Sequence, residues 1–155
     1  MDIDAKLAEL GLTLPKAAAP VAAYVPAVEA GGLLHISGQI PFTETGDLIK
    51  GRLDGTDDVA KGQEAAKRCG LMLVAQMKAA LGGSLDRVER IVKLGGFVAS
   101  GPDFFDQPKV VNGASELMVA LFGEAGKHAR SAVGVSALPL GVSVEVDAIV
   151  ALRGA

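Results

Sequence analysis

The stretch that decides the fold is "HARSAVGVSALPLGVSVEVDAIV", residues 128–150. Valines and small residues alternate with polar residues on both sides of a Leu-Pro sequence, which is the pattern of two β-strands joined by a turn. We expect a hairpin whose turn is centred on Pro139 and Leu140. Strand propensity does not explain why Arg130 lies at the start of the first strand or Glu145 in the middle of the second.

The expected hairpin also predicts how these two charged residues lie relative to each other. Gly134 would pair with Glu145 and Arg130 would pair near Ile149, so both charged side chains would lie on one face of the sheet. Four residues at about 3.3 Å each separate them by roughly 13 Å, which is too far for a salt bridge. A site that uses both requires a ligand between them, or an Arg130 and a Glu145 from different subunits. Without such a site, Arg130 is a solvated residue at a strand end and Glu145 is an edge charge that discourages aggregation.

The remainder of the chain divides into an appendage and one domain. Residues 2–10 are predicted to form a short helix, and the Pro- and Ala-rich segment after it is typical of a tether that lies over the surface. We therefore expect an N-terminal helix and tether over residues 1–20 and a single domain over residues 21–155, since a chain of 155 residues is long enough for one core.

Hydrophobic periodicity and turn residues predict the elements of that domain. They are a hairpin of strands 33–41 and 46–54, a helix over 57–81, a strand over 86–100 and a helix that begins at 106. Thr56 is placed to cap the first of these helices and the Gly82-Gly83 pair to end it. Asp106 opens the second helix and Gly123 ends it.

The element order β-β-α-β-α-β-β is typical of an α+β fold, a split βαβ sheet with both helices on one face. The opposite face then has no helix to cover it. The chain is 50% hydrophobic with a mean hydropathy of +0.37, which is more apolar than a soluble monomer requires. We prefer a subunit interface to an unusually complete core as the explanation, and we expect other copies of the chain to cover the open face.

Charge and composition exclude several classes of protein. The formal net charge is −3 and the basic residues are scattered, so no nucleic-acid partner is expected. The first residues are acidic and amphipathic, and no apolar run approaches the roughly 18 residues of a membrane span, so we expect a soluble, cytoplasmic protein with no membrane partner. Cys69, the single cysteine, is interpreted as a small buried residue of the first long helix.

No motif indicates a cofactor. His35 and His128 have no acidic or histidine partner at metal-ligand spacing, and both are interpreted as structural. The glycine-containing segments "GQIPFTETG" (38–46) and "LGGFVASG" (94–101) lack the pattern of a P-loop or of a dinucleotide site. We therefore expect neither a metal nor a nucleotide cofactor.

Four segments resemble one known family. They are "YVPAV" (24–28), "SGQIP" (37–41), "VNGASELMVALFG" (111–123) and "ARSAVGVSALPLGVSVEVDAI" (129–149). They are similar to the corresponding segments of the Rid family, the reactive-intermediate (enamine/imine) deaminases also called YjgF-like or endoribonuclease L-PSP proteins. The resemblance covers roughly residues 20–151, and the N-terminal extension points to a distinct branch. It implies a chorismate-mutase-like fold and a homotrimer with a ligand pocket at each subunit interface.

The resemblance also implies roles for the two charged residues. Arg130 matches the arginine that holds a substrate carboxylate, a task suited to a planar, bidentate guanidinium. Glu145 matches the acid that positions or activates water for attack on an imine carbon. Ala132 stands where many members have a cysteine, so a thiol cannot take part here, although the backbone carbonyl could still orient water.

Four further positions match the lining of the family's pocket. Tyr24, Ser37 and Asn112 match polar side chains of the lining, and Gly38 matches a position that binds ligand through main-chain groups. Each side chain also has a local interpretation. Tyr24 could pack against the sheet, Ser37 could end a strand or form a turn, and Asn112 could cap or cross-link a helix.

Three functions are compatible with this sequence. The first is hydrolysis of a small enamine or imine of the 2-aminoacrylate type to a 2-keto acid and ammonia, which needs a held carboxylate and a positioned water but no cofactor. The second is a small-molecule binding or chaperone-like protein that keeps the pocket without turnover. The third is the ribonuclease of the family's older name, for which a basic groove and a histidine acid–base pair would be expected.

Overall fold

A computed structural model describes residues 2–19 and 23–154 of the chain. The elements are α1 (Ile3–Glu9), β1 (Ala27–Ala30), β2 (Leu33–Gln39), α2 (Val59–Ala80), β3 (Val88–Ala99), α3 (Gln107–Phe122), β4 (Ala129–Val135) and β5 (Val144–Leu152). The boundary predicted between the tether and the domain lies between Pro20 and Val21. These two residues and Ala22 lie outside the described residues.

The five strands form one mixed sheet in the order β1-β2-β5-β3-β4. All neighbours are antiparallel except β3 and β4, which are parallel and are connected through α3. In β5 the buried residues are Val144, Val146, Ala148, Val150 and Leu152, on the face of β5 that packs against α2, while α3 packs beside α2 and over β3 and β4. The predicted α+β fold with both helices on one face of the sheet is confirmed.

The first hairpin is formed by other residues than the sequence predicts. β2 pairs with β1 through a turn at Gly31 and Gly32, both of which have positive φ, rather than with residues 46–54. Those residues form only isolated bridges, to Phe42, Val142 and Ser100, because positive φ at Gly46 and Gly51 interrupts an extended run. The predicted pairing of 33–41 with 46–54 is therefore wrong for β2 and is confirmed only next to the turn, where the Ile49 N–H donates to the Pro41 carbonyl at 3.1 Å and the Thr43 N–H to the Asp47 carbonyl at 2.7 Å.

The terminal hairpin is also wrong, because β3 lies between β4 and β5. Leu94 of β3 pairs with Arg130 on one side and with Ala148 on the other. The segment after the 3₁₀ turn at Pro139–Gly141 bonds elsewhere: the Ser143 hydroxyl donates to the Gly51 carbonyl at 2.6 Å. A strand that is apolar along most of its length, as β3 is, is most stable in the centre of a sheet.

The predicted ends of the helices are confirmed except at Thr56, since Asp106 and Gly123 flank α3 as predicted. A 3₁₀ turn at Thr56–Asp58 precedes α2, so Thr56 does not cap the helix. The Asp58 carboxylate instead accepts the backbone N–H groups of Asp54 at 2.8 Å and Gly55 at 3.1 Å. Gly82 and Gly83 end α2 with positive φ, as predicted.

The N-terminal helix contributes to the core. Ile3 and Leu7 of α1 are 5% and 4% exposed and belong to the same apolar cluster as the long helices and the sheet. Asp4 forms an ion pair of 2.7 Å with Lys78 near the end of α2. Among the described residues, no helix is both long enough and apolar enough to cross a membrane.

Candidate functional site

Arg130 lies on the face of the sheet that carries the helices. It pairs with Leu94, whose side chain is fully buried beneath α3, and its own side chain reaches that helix. Its Nη1 donates to Asn112 Oδ1 at 2.8 Å and to Ser115 Oγ at 3.1 Å, and its Nη2 donates to the Pro108 carbonyl at 3.3 Å. The guanidinium is therefore held against α3 by neutral acceptors.

No carboxylate of the described residues forms an ion pair with Arg130. None of the ion pairs formed within residues 2–19 and 23–154 includes it. A guanidinium has more N–H donors than the bonds to α3 use. Arg130 is thus fixed in position while keeping both its charge and unused donors, which is what binding an external carboxylate requires.

A second pair of side chains supports this arrangement. His128 Nδ1 lies 2.6 Å from the Gly126 carbonyl, which requires a proton on Nδ1. In the neutral ring, Nε2 then accepts from the Ser115 hydroxyl at 2.9 Å, and the Ser115 oxygen accepts from Arg130. We call Arg130, Asn112, Ser115 and His128 the arginine cluster.

Sequence reasoning identified Asn112 but not Ser115. The missed signal is the helical spacing: Ser115 follows Asn112 by three residues, which places both on one face of α3. The interpretation of His128 as a structural residue is consistent with its contacts. No group of three or more residues that could hold a metal ion occurs in the part of the chain that is described.

Glu145 lies on the opposite face of the sheet. It pairs with Phe97, and it alternates with the buried Val144 and Val146. Its carboxylate lies over Gly38, since a Cβ placed on that glycine would be 2.5 Å from Glu145 Oε2. Burial, and then the charge of Asp147 two residues away, raise the pKa of Glu145. We call Glu145, Asp147 and Gly38 the glutamate cluster.

An irregularity in β2 places Gly38 beneath this carboxylate. Ile36 pairs with Ala148 and Gln39 with Val146, so β2 has one residue more than β5 between these pairs. The Ser37 hydroxyl donates to the Val25 carbonyl at 2.9 Å and anchors the segment that carries Tyr24. Tyr24 is 52% exposed and does not pack into the core.

The two charged residues do not share a face, contrary to the hairpin prediction. They are two strands and three residues apart, which is about 14 Å between Cα atoms, and their side chains point to opposite sides of the sheet. The cause is the register: Arg130 aligns with Ala148 rather than with Ile149, and a shift of one residue moves a side chain to the other face. Ala132 lies on the side of Arg130, partly buried against the core.

The arginine cluster and the glutamate cluster are thus separate within one chain, and comparison with known proteins identifies the family of the chain. A family model described as YjgF/chorismate mutase-like, putative endoribonuclease, matches residues 4–151. The chain belongs to this YjgF family. The predicted membership of the Rid, or YjgF-like, family and the chorismate-mutase-like fold are confirmed.

Individual members of the YjgF family are similar to the chain over nearly its whole length. It is 52% identical to protein TCP17 of Trypanosoma cruzi, over 97% of this chain and 94% of that one. It is 28% identical to a Dermatophagoides farinae protein named 2-iminobutanoate/2-iminopropanoate deaminase, over 92% of this chain and 95% of that one. The crystal structure of a protein of unknown function from Agrobacterium tumefaciens is similar with a TM-score of 0.88 and 49% identity, over 97% of this chain and 92% of that one.

Proposed function

We propose that this protein hydrolyses small enamines or imines of the 2-aminoacrylate type to 2-keto acids and ammonia. The observation that carries the proposal is the Arg130 guanidinium, which is held by neutral acceptors and has no acidic partner in the described chain. Such a group is suited to a substrate carboxylate. The name of the mite relative, a 2-iminobutanoate/2-iminopropanoate deaminase, supports the same substrate class.

In the proposed reaction Arg130 binds the carboxylate and Glu145 acts on water. The water oxygen bonds to the imine carbon while Glu145 accepts a proton from it. That proton passes to the nitrogen and gives a carbinolamine. Glu145 then takes the proton of the new hydroxyl and delivers it to the nitrogen, the carbon–nitrogen bond breaks, and ammonia leaves as the carbonyl of the 2-keto acid forms. The raised pKa of Glu145 supports this role, since a more basic carboxylate is a better proton acceptor.

The proposed site is completed by a second copy of the chain. Arg130 and Glu145 lie on opposite faces of one sheet, so a small ligand cannot contact both in the same protomer. The face that carries Glu145 has no covering element among the described residues, because α2 and α3 both pack on the other face. We propose a homotrimer in which Arg130 of one subunit and Glu145 of a neighbour flank each pocket.

The deciding experiment is an assay with imino acids generated in situ. Ammonia and 2-keto acid are measured over the spontaneous hydrolysis rate, with heat-denatured protein as the control. Acceleration by the native protein is the expected result. No acceleration for any carboxylate-bearing imine would contradict the enzymatic proposal.

A second candidate is a protein that binds 2-keto or amino acids without turnover. It is favoured by Ala132, which offers no side-chain functional group where many members of the family have a cysteine. Saturable binding of a 2-keto acid that Arg130→Ala abolishes, together with an absence of imine hydrolysis, would support this candidate over the enzyme.

A further inference from the structure

A cavity of about 660 Å³ lies away from both clusters, between the N-terminal tether, the loop after β2 and α2. Its apolar wall is formed by Leu14, Pro15, Ala17, Ala18, Phe42 and Met72. The tether is held in place there, because Gln76 Nε2 donates to the Ala18 carbonyl at 2.8 Å and Leu14 packs against the core. The volume is within the roughly 300–1,000 Å³ of ligand pockets.

Arg68 of α2 also lines this cavity and is only 7% exposed. Its Nε donates to the Phe42 carbonyl at 2.6 Å. This is the single hydrogen bond of the Arg68 side chain to the described residues. Among those residues, every side-chain nitrogen or oxygen that is fully buried has a hydrogen-bond partner. The two Nη groups of Arg68 have no such partner, so they are not fully buried. Since the side chain borders the cavity, we infer that this exposure is toward the cavity.

The charge balance of the cavity favours an anion. Within the described part of the chain, no carboxylate forms an ion pair with Arg68. A nearly buried cation without a counterion is costly, and a bound carboxylate would remove that cost. Lys16 on the rim adds positive charge, and Glu44, also on the rim, opposes it from an exposed position.

We propose that this cavity is a second ligand site, which binds an organic carboxylate with an aliphatic body. The Nη groups of Arg68 bind the carboxylate, and the aliphatic part lies against the wall between Leu14 and Met72. A planar guanidinium discriminates in favour of a carboxylate through paired hydrogen bonds. The site does not depend on the proposed deaminase, because it shares no residue with the arginine or glutamate cluster.

Calorimetric titration of the full chain with octanoate tests the site. The control ligand is 1-octanol, which has a carbon chain of the same length but carries no charge. Octanoate is expected to bind about tenfold or more tightly than 1-octanol. Ala18→Glu places a carboxylate in the wall without altering Arg68 and should weaken octanoate binding about tenfold or more. Ala5→Glu, on the exposed side of α1, carries the same added charge outside the cavity and should leave binding unchanged.

Two further variants separate this site from the proposed catalytic one. Arg68→Gln should abolish the preference for octanoate over 1-octanol, and its unfolding curve reports whether the protein is still folded. Arg130→Ala should keep the octanoate binding that Ala18→Glu weakens. Equal affinity for octanoate and 1-octanol, unchanged binding in Ala18→Glu, or loss of binding in Arg130→Ala would each overturn the proposal.

Discussion

The arginine cluster and the glutamate cluster differ in how the fold prepares a charged side chain. Arg130 is fixed by hydrogen bonds to Asn112, Ser115 and a backbone carbonyl of α3, so its position is specified while its charge remains available. Glu145 is instead placed by burial beside Asp147 and over Gly38, and this environment raises its pKa. The position of Arg130 is thus specified by hydrogen bonds, whereas the environment of Glu145 acts on its charge.

The largest expected effect is that of Glu145→Gln. If Glu145 is the proton acceptor, imine hydrolysis should fall about 10²- to 10⁴-fold, because an amide cannot accept the proton of water. Steady-state assays of ammonia release measure this fall. A variant with wild-type turnover would contradict the role of Glu145.

The same variant has a pH-dependent effect on stability with a defined sign. The folded-state pKa of Glu145 is raised, so its favourable contribution to folding is complete below its ordinary pKa and is lost as pH rises through the raised pKa. Glu145→Gln should therefore be more stable than the wild type near neutral pH, and the difference should disappear in acid. Thermal unfolding from acid to neutral pH measures it, and a constant difference would contradict the burial of the charge.

Arg130→Ala should have the next largest effect. Loss of the ion pair with a carboxylate costs about 2–5 kcal/mol, a factor of roughly 30 to several thousand in affinity or rate. Stability should change by only about 1 kcal/mol, since the lost partners are neutral and only partly buried. Arg130→Lys should restore function only in part, because an ammonium lacks the planar fork. Equal activity of all three proteins would contradict carboxylate binding by Arg130.

Mixing the two inactive variants tests whether the clusters meet between subunits. In trimers assembled from Arg130→Ala and Glu145→Gln chains, about a quarter of the interfaces would combine an intact Arg130 with an intact Glu145. Co-expressed variants should therefore recover about a quarter of the wild-type activity, whereas separately assembled variants mixed without exchange should recover none. No recovery in verified mixed trimers would contradict a shared site.

Ser115→Ala should have a smaller effect, confined to binding. It removes one acceptor of Arg130 and the partner of His128, and one such hydrogen bond contributes about 1 kcal/mol, so KM should rise about fivefold with kcat unchanged. Ser115→Thr, which keeps the hydroxyl, should restore KM. Ser136→Ala, at an exposed position, is the matched control. An equal KM in Ser136→Ala and Ser115→Ala would contradict the role of Ser115 in positioning Arg130.

The smallest expected change is a displacement of the pH profile by Asp147→Asn. Removing this negative charge lowers the pKa of Glu145, although burial, the larger cause, still raises it. The acid limb of the activity profile should move to lower pH. The exposed Asp103→Asn, matched in charge, should leave the limb in place, and an unmoved limb in Asp147→Asn would contradict coupling between the two carboxylates.

The sequence alone was sufficient for most of the elements and for the family, although it did not predict β1 and predicted a strand over 46–54 where the structure has isolated bridges. Periodicity located α1, α2, α3 and β3 to within a few residues, because burial on one side of an element leaves a repeating pattern. The alternation in β5 correctly predicted that Glu145 projects away from the valines. The segments around Arg130 and Glu145 identified the family without any knowledge of how their strands pair.

Only the tertiary structure decided which strands are neighbours and which face Arg130 occupies. Alternation relates the residues of one strand to each other, but the relation between strands depends on long-range pairing and register. The insertion of β3 between β4 and β5 therefore reversed the predicted face of Arg130 and revealed its bond to Ser115. The exposure of Arg68 to a cavity was equally inaccessible to sequence reasoning, because it depends on a tether and a helix about fifty residues apart in the chain.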